Sequence, residues 1–217
     1  MRCSVCLAAI SLSLVPSVSH AATILFSNGA PAQSGGTVIS SPVRAAAQPF
    51  TLGYAANLTS IVFANWMDDL TGNGLNAGSL PIQLDWRITT TGIGGTTLFS
   101  GSGASLSVLP GTTVSFGPNN SITEQEVQFS LGNIWFQAGT YYLELLNETV
   151  QNQVALGLEG RWGGSTTNSA DAQNFNNGSL TFNNPTHFFE VIGVPEPAAL
   201  ALFGLGLGAM GLLRRRA

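Results

Sequence analysis

Apolar and polar residues alternate without a break through Ile82-Gln83-Leu84-Asp85-Trp86-Arg87-Ile88-Thr89. A two-residue period puts Ile82, Leu84, Trp86 and Ile88 on one face and Gln83, Asp85, Arg87 and Thr89 on the other, and so predicts a half-buried strand. The same alternation marks Ala104-Leu106-Val108, Val127-Phe129-Leu131, Tyr141-Leu143-Leu145 and Val154-Leu156-Leu158, each bounded by Gly, Pro or Asn. Shorter strand candidates run Thr23 to Phe26, Thr37 to Ser40, Phe50 to Leu52, Leu58 to Ala64, Thr112 to Phe116, Ser179 to Phe182 and Phe188 to Ile192. No stretch between them sustains a 3.6-residue stripe, and no segment recurs at a fixed period. Many short strands with turn residues between them predict an all-β body, an antiparallel β-sandwich or jelly roll.

The two ends break this pattern. Met1-Arg2 gives a positive start, Val5 to Val15 an apolar run and Ser19-His20-Ala21 a small-residue cleavage site, the order of parts in a secretory signal peptide covering residues 1–21. At the other end Val194-Pro195-Glu196-Pro197 leads into uncharged residues from Ala198 to Leu213 and then Arg214-Arg215-Arg216. At about 1.5 Å per residue this run predicts a single C-terminal hydrophobic helix of roughly 24 Å, short for a membrane span but sufficient in a thin bilayer. The three arginines belong on the cytoplasmic side, which leaves everything before Pro195 outside. The expected organisation is therefore a signal peptide (1–21), one β-sandwich domain (22–193) and a tail (194–217).

Composition narrows the chemistry of the body. Cys3 and Cys6 lie in the signal peptide, so residues 22–193 have neither a disulfide nor a thiolate metal site. The body has no lysine, and Arg44, Arg87 and Arg161 face ten carboxylates, a formal charge of about −7; nucleic acid is excluded as a partner, because phosphate binding needs a basic face. His187 is the only histidine of the body, expected in a surface or turn-packing role. There is no Gly-x-Ser-x-Gly elbow, no His-Glu-x-x-His and no phosphate-binding Gly-rich loop. Glu124 and Glu126 share a strand face and could in principle serve glycoside hydrolysis, but the alternation around them reads as a solvated face. The expectation is a protein that is not an enzyme.

Two features suggest binding instead. Asp69, Thr71 and Asn73 place oxygen donors at alternate positions, as in the first half of a calcium loop; the twelfth position is Leu80 where a bidentate Glu belongs, so no cofactor is expected, with calcium as the alternative. Trp66, beside Asp68 and Asp69, and Trp162, beside Arg161 and a polar loop, are the candidate aromatic platforms for a sugar ring. Trp86, on the apolar face of its strand, is assigned to the core.

The order Pro195-Glu196-Pro197, a short Gly/Ala/Leu-rich helix and the Arg214-Arg215-Arg216 cluster resembles the PEP-CTERM sorting signal, also known as the ice-binding-protein C-terminal domain. The resemblance covers Val194 to Ala217 and implies recognition and cleavage by an exosortase, transient anchoring in the inner membrane, and release to the envelope surface or the extracellular matrix. The succession Trp135-Phe136, Ala138 to Leu143, Gly160-Arg161-Trp162 and Phe188 to Gly193 is similar to the jelly-roll bodies of exported PEP-CTERM proteins. It implies a non-catalytic surface or matrix protein associated with exopolysaccharide, with a carbohydrate-binding module for a specific glycan as the alternative and a glycan-active enzyme behind both.

Overall fold

The computed structural model describes residues 21–40, 44–69, 80–116, 122–151, 158–167, 172–182 and 186–196. The signal peptide before Ala21 and the tail after Glu196 lie outside them, as do Val154 and Leu156. The described residues form fourteen strands and no helix: β1 (Thr23–Ser27), β2 (Pro31–Val38), β3 (Arg44–Leu52), β4 (Ala56–Asp69), β5 (Pro81–Thr89), β6 (Thr97–Ser105), β7 (Ser107–Val108), β8 (Val114–Phe116), β9 (Ile122–Phe136), β10 (Gly139–Val150), β11 (Leu158–Ser165), β12 (Gln173–Asn176), β13 (Ser179–Phe182) and β14 (Phe189–Pro195). None of them is long, apolar and helical enough to cross a membrane.

All pairings are antiparallel and fall into two sheets. One has the order β13-β12-β3-β10-β5-β6. The other is organised around β4, whose entire length pairs with β9 on one side, from Ala56 opposite Phe136 to Asp68 opposite Ile122. Its other edge is divided: β14 covers Ala56 to Phe63 and β11 covers Asn65 to Asp69. Where these two strands meet, the Phe188 N–H donates to Gly163 O at 3.0 Å and the Ala64 N–H to Phe188 O at 3.3 Å, so the ladder passes over the junction with few gaps. β1 extends this sheet beyond β14, β2 extends it beyond β11, and β7 and β8 pair with the far edge of β9.

The inner faces share one core. Leu84, Trp86 and Ile88 from β5, Phe50 from β3, and Leu143 and Leu145 from β10 meet Ile61 and Phe63 from β4, Val127, Phe129 and Leu131 from β9, and Phe189 from β14. Trp86 and Phe129 approach across the interface with ring centroids 6.3 Å apart, and Phe50 and Phe189 at 6.1 Å, nearly edge to face. Ile39 ties the sheets together along one side: its N–H donates to Gly160 O (3.0 Å) and its carbonyl accepts from the Glu148 N–H (2.9 Å). This is the face-to-face packing of a sandwich.

The alternation predicted for β5 holds at Leu84, Trp86 and Ile88 but fails at both ends. Ile82 is exposed, next to the start of the strand, whereas Thr89 is buried because its hydroxyl exchanges hydrogen bonds with the backbone of Gly92 in the turn. β4 departs further, being buried without interruption from Ser60 to Met67. Ile61 and Phe63 face the main core, so Val62 and Ala64 point the other way, where Phe188, Leu109 and Ile192 cover them in a second small cluster. A strand covered on both faces reads as a continuous apolar run.

Candidate functional site

Two of the residues proposed from sequence to meet a ligand lie inside the protein. Trp162 is fully buried, donates its indole N–H to Phe188 O at 2.8 Å and packs edge-on against Phe63 and Phe189. Trp66 is buried too, on the opposite face of its sheet from Phe63, with its indole N–H bonded to a carboxylate oxygen of Glu124. The cause is local to neither tryptophan. A Cβ on Gly163 would stand 2.8 Å from the Trp66 indole nitrogen, and one on Gly36 3.3 Å from its ring, so two glycines make the slot that the ring fills. Between Pro31, which pairs with Ser165, and Gly36, which pairs with Gly163, β2 carries four residues opposite one. That bulge carries Gln33, at φ 49°, far enough across the sheet for its backbone N–H to reach Glu124. Neither tryptophan offers a face on which a sugar could stack.

The carboxylate pair also differs from the expected solvated face. Burial pushes Glu124 above the ordinary carboxylate range, opposed by the bonds from Trp66 and Gln33, and burial also raises Glu126, with the nearby Glu190 charge adding to it. Glu124 is thus a structural acceptor. Of the calcium candidates, Asp69 ends β4, while Thr71 and Asn73 lie outside the described residues; among the described residues no group of three His, Cys, Asp or Glu side chains could hold a metal.

His187 is not at the surface. It is fully buried with its ring against Trp162 at 5.0 Å, its Nε2 2.8 Å from the Thr37 hydroxyl, and burial lowers its pKa to about 3, so it is neutral. From Thr37 the chain of bonds continues outward, its hydroxyl donating to Asn174 Oδ1 at 2.9 Å. Asn174 lines a lateral cleft of about 270 Å³ where the edge of one sheet (β2, β11) meets that of the other (β12, β3). Two of the three arginines of the body, Arg44 and Arg161, line it together with Phe175 and Asn176. Glu159 bridges the two guanidinium groups at 3.6 and 3.1 Å.

A second buried group lies between the sheets. The register of β10 against β5 slips after Leu146, with Asn147 at φ 52°, and this bulge turns Glu148 into the interior. Its Oε1 accepts from Asn65 Nδ2, and burial raises its pKa to about 8. Glu148 Oε2 and Asn65 Oδ1 are both buried, and neither has a hydrogen-bond partner among the described residues. A neutral carboxyl carries a donor where the ionised form has only acceptors, and so leaves less charge to be satisfied in the interior. Gly160 leaves the room required: a Cβ there would fall 1.8 Å from Oε2.

The sorting residues begin on the body itself. Pro195 is the last residue of β14, opposite Ala56 of β4. The Glu196 N–H donates to Ala55 O at 3.0 Å, and its carboxylate accepts from the Trp135 indole N–H at 2.7 Å. Pro197 and Arg214-Arg215-Arg216 lie outside the described residues. Nothing in the sequence around Trp135 signals this contact, which joins residues 61 positions apart.

Residues 193–217 match the family model of the PEP-CTERM protein-sorting motif. The motif marks an exported protein that is a target of an exosortase and is held transiently in the membrane before processing. Neither the curated proteins nor the solved structures gave a match to the chain.

Proposed function

We propose that this is a non-catalytic component of the cell surface or extracellular matrix, released from its tail by an exosortase and associated with exopolysaccharide through the lateral cleft. The observation that supports a glycan contact is the make-up of that cleft: Phe175 supplies an apolar ring, Asn174 and Asn176 supply amides suited to hydroxyls, and Arg44 suits a sugar carboxylate. The ligand class is therefore an acidic polysaccharide. A carbohydrate-binding module for one specific glycan is the second reading, favoured by the same cleft. A non-catalytic role is supported by the occupation of His187, Glu124 and Glu148 in structural bonds.

Retention on immobilised polygalacturonate against neutral dextran tests the reading. The acidic polymer should retain the protein, and Phe175→Ala or Arg44→Gln should weaken retention about tenfold. Equal retention on both polymers, or variants that bind like the parent, would remove the cleft from consideration. Mass spectrometry of the protein from its own cells tests the sorting: an intact Arg214-Arg215-Arg216 end would refute it.

A further inference from the structure

The membrane-proximal end of the body follows from where β14 stops. Only Glu196 and Pro197 separate Pro195 from Ala198, the start of the apolar run. Two extended residues reach about 7 Å. With the tail in a bilayer, the end of the sandwich that carries Pro195 has to lie at the lipid surface. The pairings identify its other parts: Ala56 opposite Phe136, and Gly139 opposite Leu52, with the turn of Gly53, Tyr54 and Ala55 between β3 and β4.

This end has the composition of an interface. From Thr51 to Asn57 and from Leu131 to Leu143 there is no charged residue, and Glu196 follows directly on β14. Trp135 is 45% exposed and Tyr54 50%. Among the described residues, acids lie toward the other end: Asp68 and Asp69 close β4, Glu124 sits near the start of β9, and Glu148 and Glu159 near the far ends of β10 and β11. Even Glu144, the first carboxylate along β10, pairs with Ala47, five register positions in from Leu52. Tryptophan and tyrosine favour the headgroup region, where an apolar ring and a polar edge are both accommodated, whereas carboxylates are repelled by anionic lipid.

We infer that this uncharged end, with Trp135 and Tyr54, is a lipid-facing surface that rests in the headgroup region while the tail is uncut. The inference depends on the sorting reading and on the tail spanning the bilayer. Trp135 then has two tasks: its ring enters the interface, and its N–H holds Glu196, so the Pro195-Glu196-Pro197 segment stays at the membrane surface. A protease embedded in the same membrane meets its substrate there.

The test is tryptophan quenching in the chain with its tail, reconstituted in phosphatidylethanolamine/phosphatidylglycerol vesicles that carry a nitroxide either near the headgroup or near the acyl-chain end. Trp66, Trp86 and Trp162 are buried, so the shallow label should quench about a quarter of the emission, the deep label much less, and Trp135→Phe should abolish the difference. Vesicle flotation separates the two ways of failing. A chain that does not float with the lipid overturns the anchored tail and the inference with it. A chain that floats but is unquenched, or is quenched equally after Trp135→Phe, overturns the lipid-facing surface alone.

Discussion

Glu148→Gln removes one proton-binding site from between the sheets while keeping the shape and the bond to Asn65. In the folded protein the carboxyl holds its proton up to about pH 8, whereas in the unfolded chain it releases it near 4.5. A folded value raised above the unfolded one means that the stabilising contribution is complete below pH 4.5 and is lost as pH rises through about 8. The slope between them is about 1.4 kcal/mol per pH unit, and the total approaches about 5 kcal/mol. Glutamine does not titrate, and its amide presents an N–H where the neutral acid presents an O–H. The stability of the variant minus that of the parent should therefore be small near pH 4.5 and climb to several kcal/mol by about pH 8. Glu124, Glu126 and Glu144 are also raised by burial and lower stability in the same direction, but both chains share them and they cancel in the difference. Urea unfolding followed by tryptophan emission at about pH 5, 7 and 9 measures it. Parallel pH curves for the two proteins would refute the neutral, interior carboxyl.

His187 gives the opposite slope at the acid side. Its folded pKa of about 3 lies below the unfolded 6.5, so stability should fall as pH drops from 6.5 toward 3, by about 1.4 kcal/mol per unit; His187→Gln should flatten this limb in the same urea series. Gly193→Ala places a Cβ 2.3 Å from Asn57 O and 2.7 Å from Leu25 Cδ1, and should lower stability by about 1–3 kcal/mol in a thermal melt, with an unchanged Tm counting against the tight pairing of β14 with β4.

The strands were legible where one face is buried and the period is local. Leu84, Trp86 and Ile88 follow the alternation, and Ser179–Phe182 has the bounds expected from its turn residues although all four side chains are exposed at the sheet edge. Burial was less legible wherever it depends on distant partners. Trp66 and Trp162 stand among polar neighbours in the sequence, but their slots are made by Gly36, Gly163 and the bulge of β2. His187 sits beside a run of polar residues, yet the bridge it forms with Gly164 carries it under β11. Glu148 is turned inward by a bulge that no residue type announces, toward an asparagine 83 positions away. The sorting motif was plain because it is read along the chain; its seat on Trp135 was not, because that contact exists only in the folded body.

The pairing of β14 with both β1 and β4 bears on the order of events during export. This strand is the last of the body to leave the translocation pore, and it lies inside its sheet, between the first strand and β4. Until it emerges, β1 has no partner and half of one edge of β4 stays open, so the chain remains loose enough to be threaded, and folding completes as the apolar tail arrives. Contacts of this sequence separation close slowly, which widens that interval. The same placement limits the cut: cleavage before Phe189 would take an inner strand away with the tail and cleavage between Phe189 and Pro195 would shorten it, whereas cleavage beyond Pro195 leaves the sheet entire. The address label and a structural strut share residues, and only the part beyond the strut can be removed without loss.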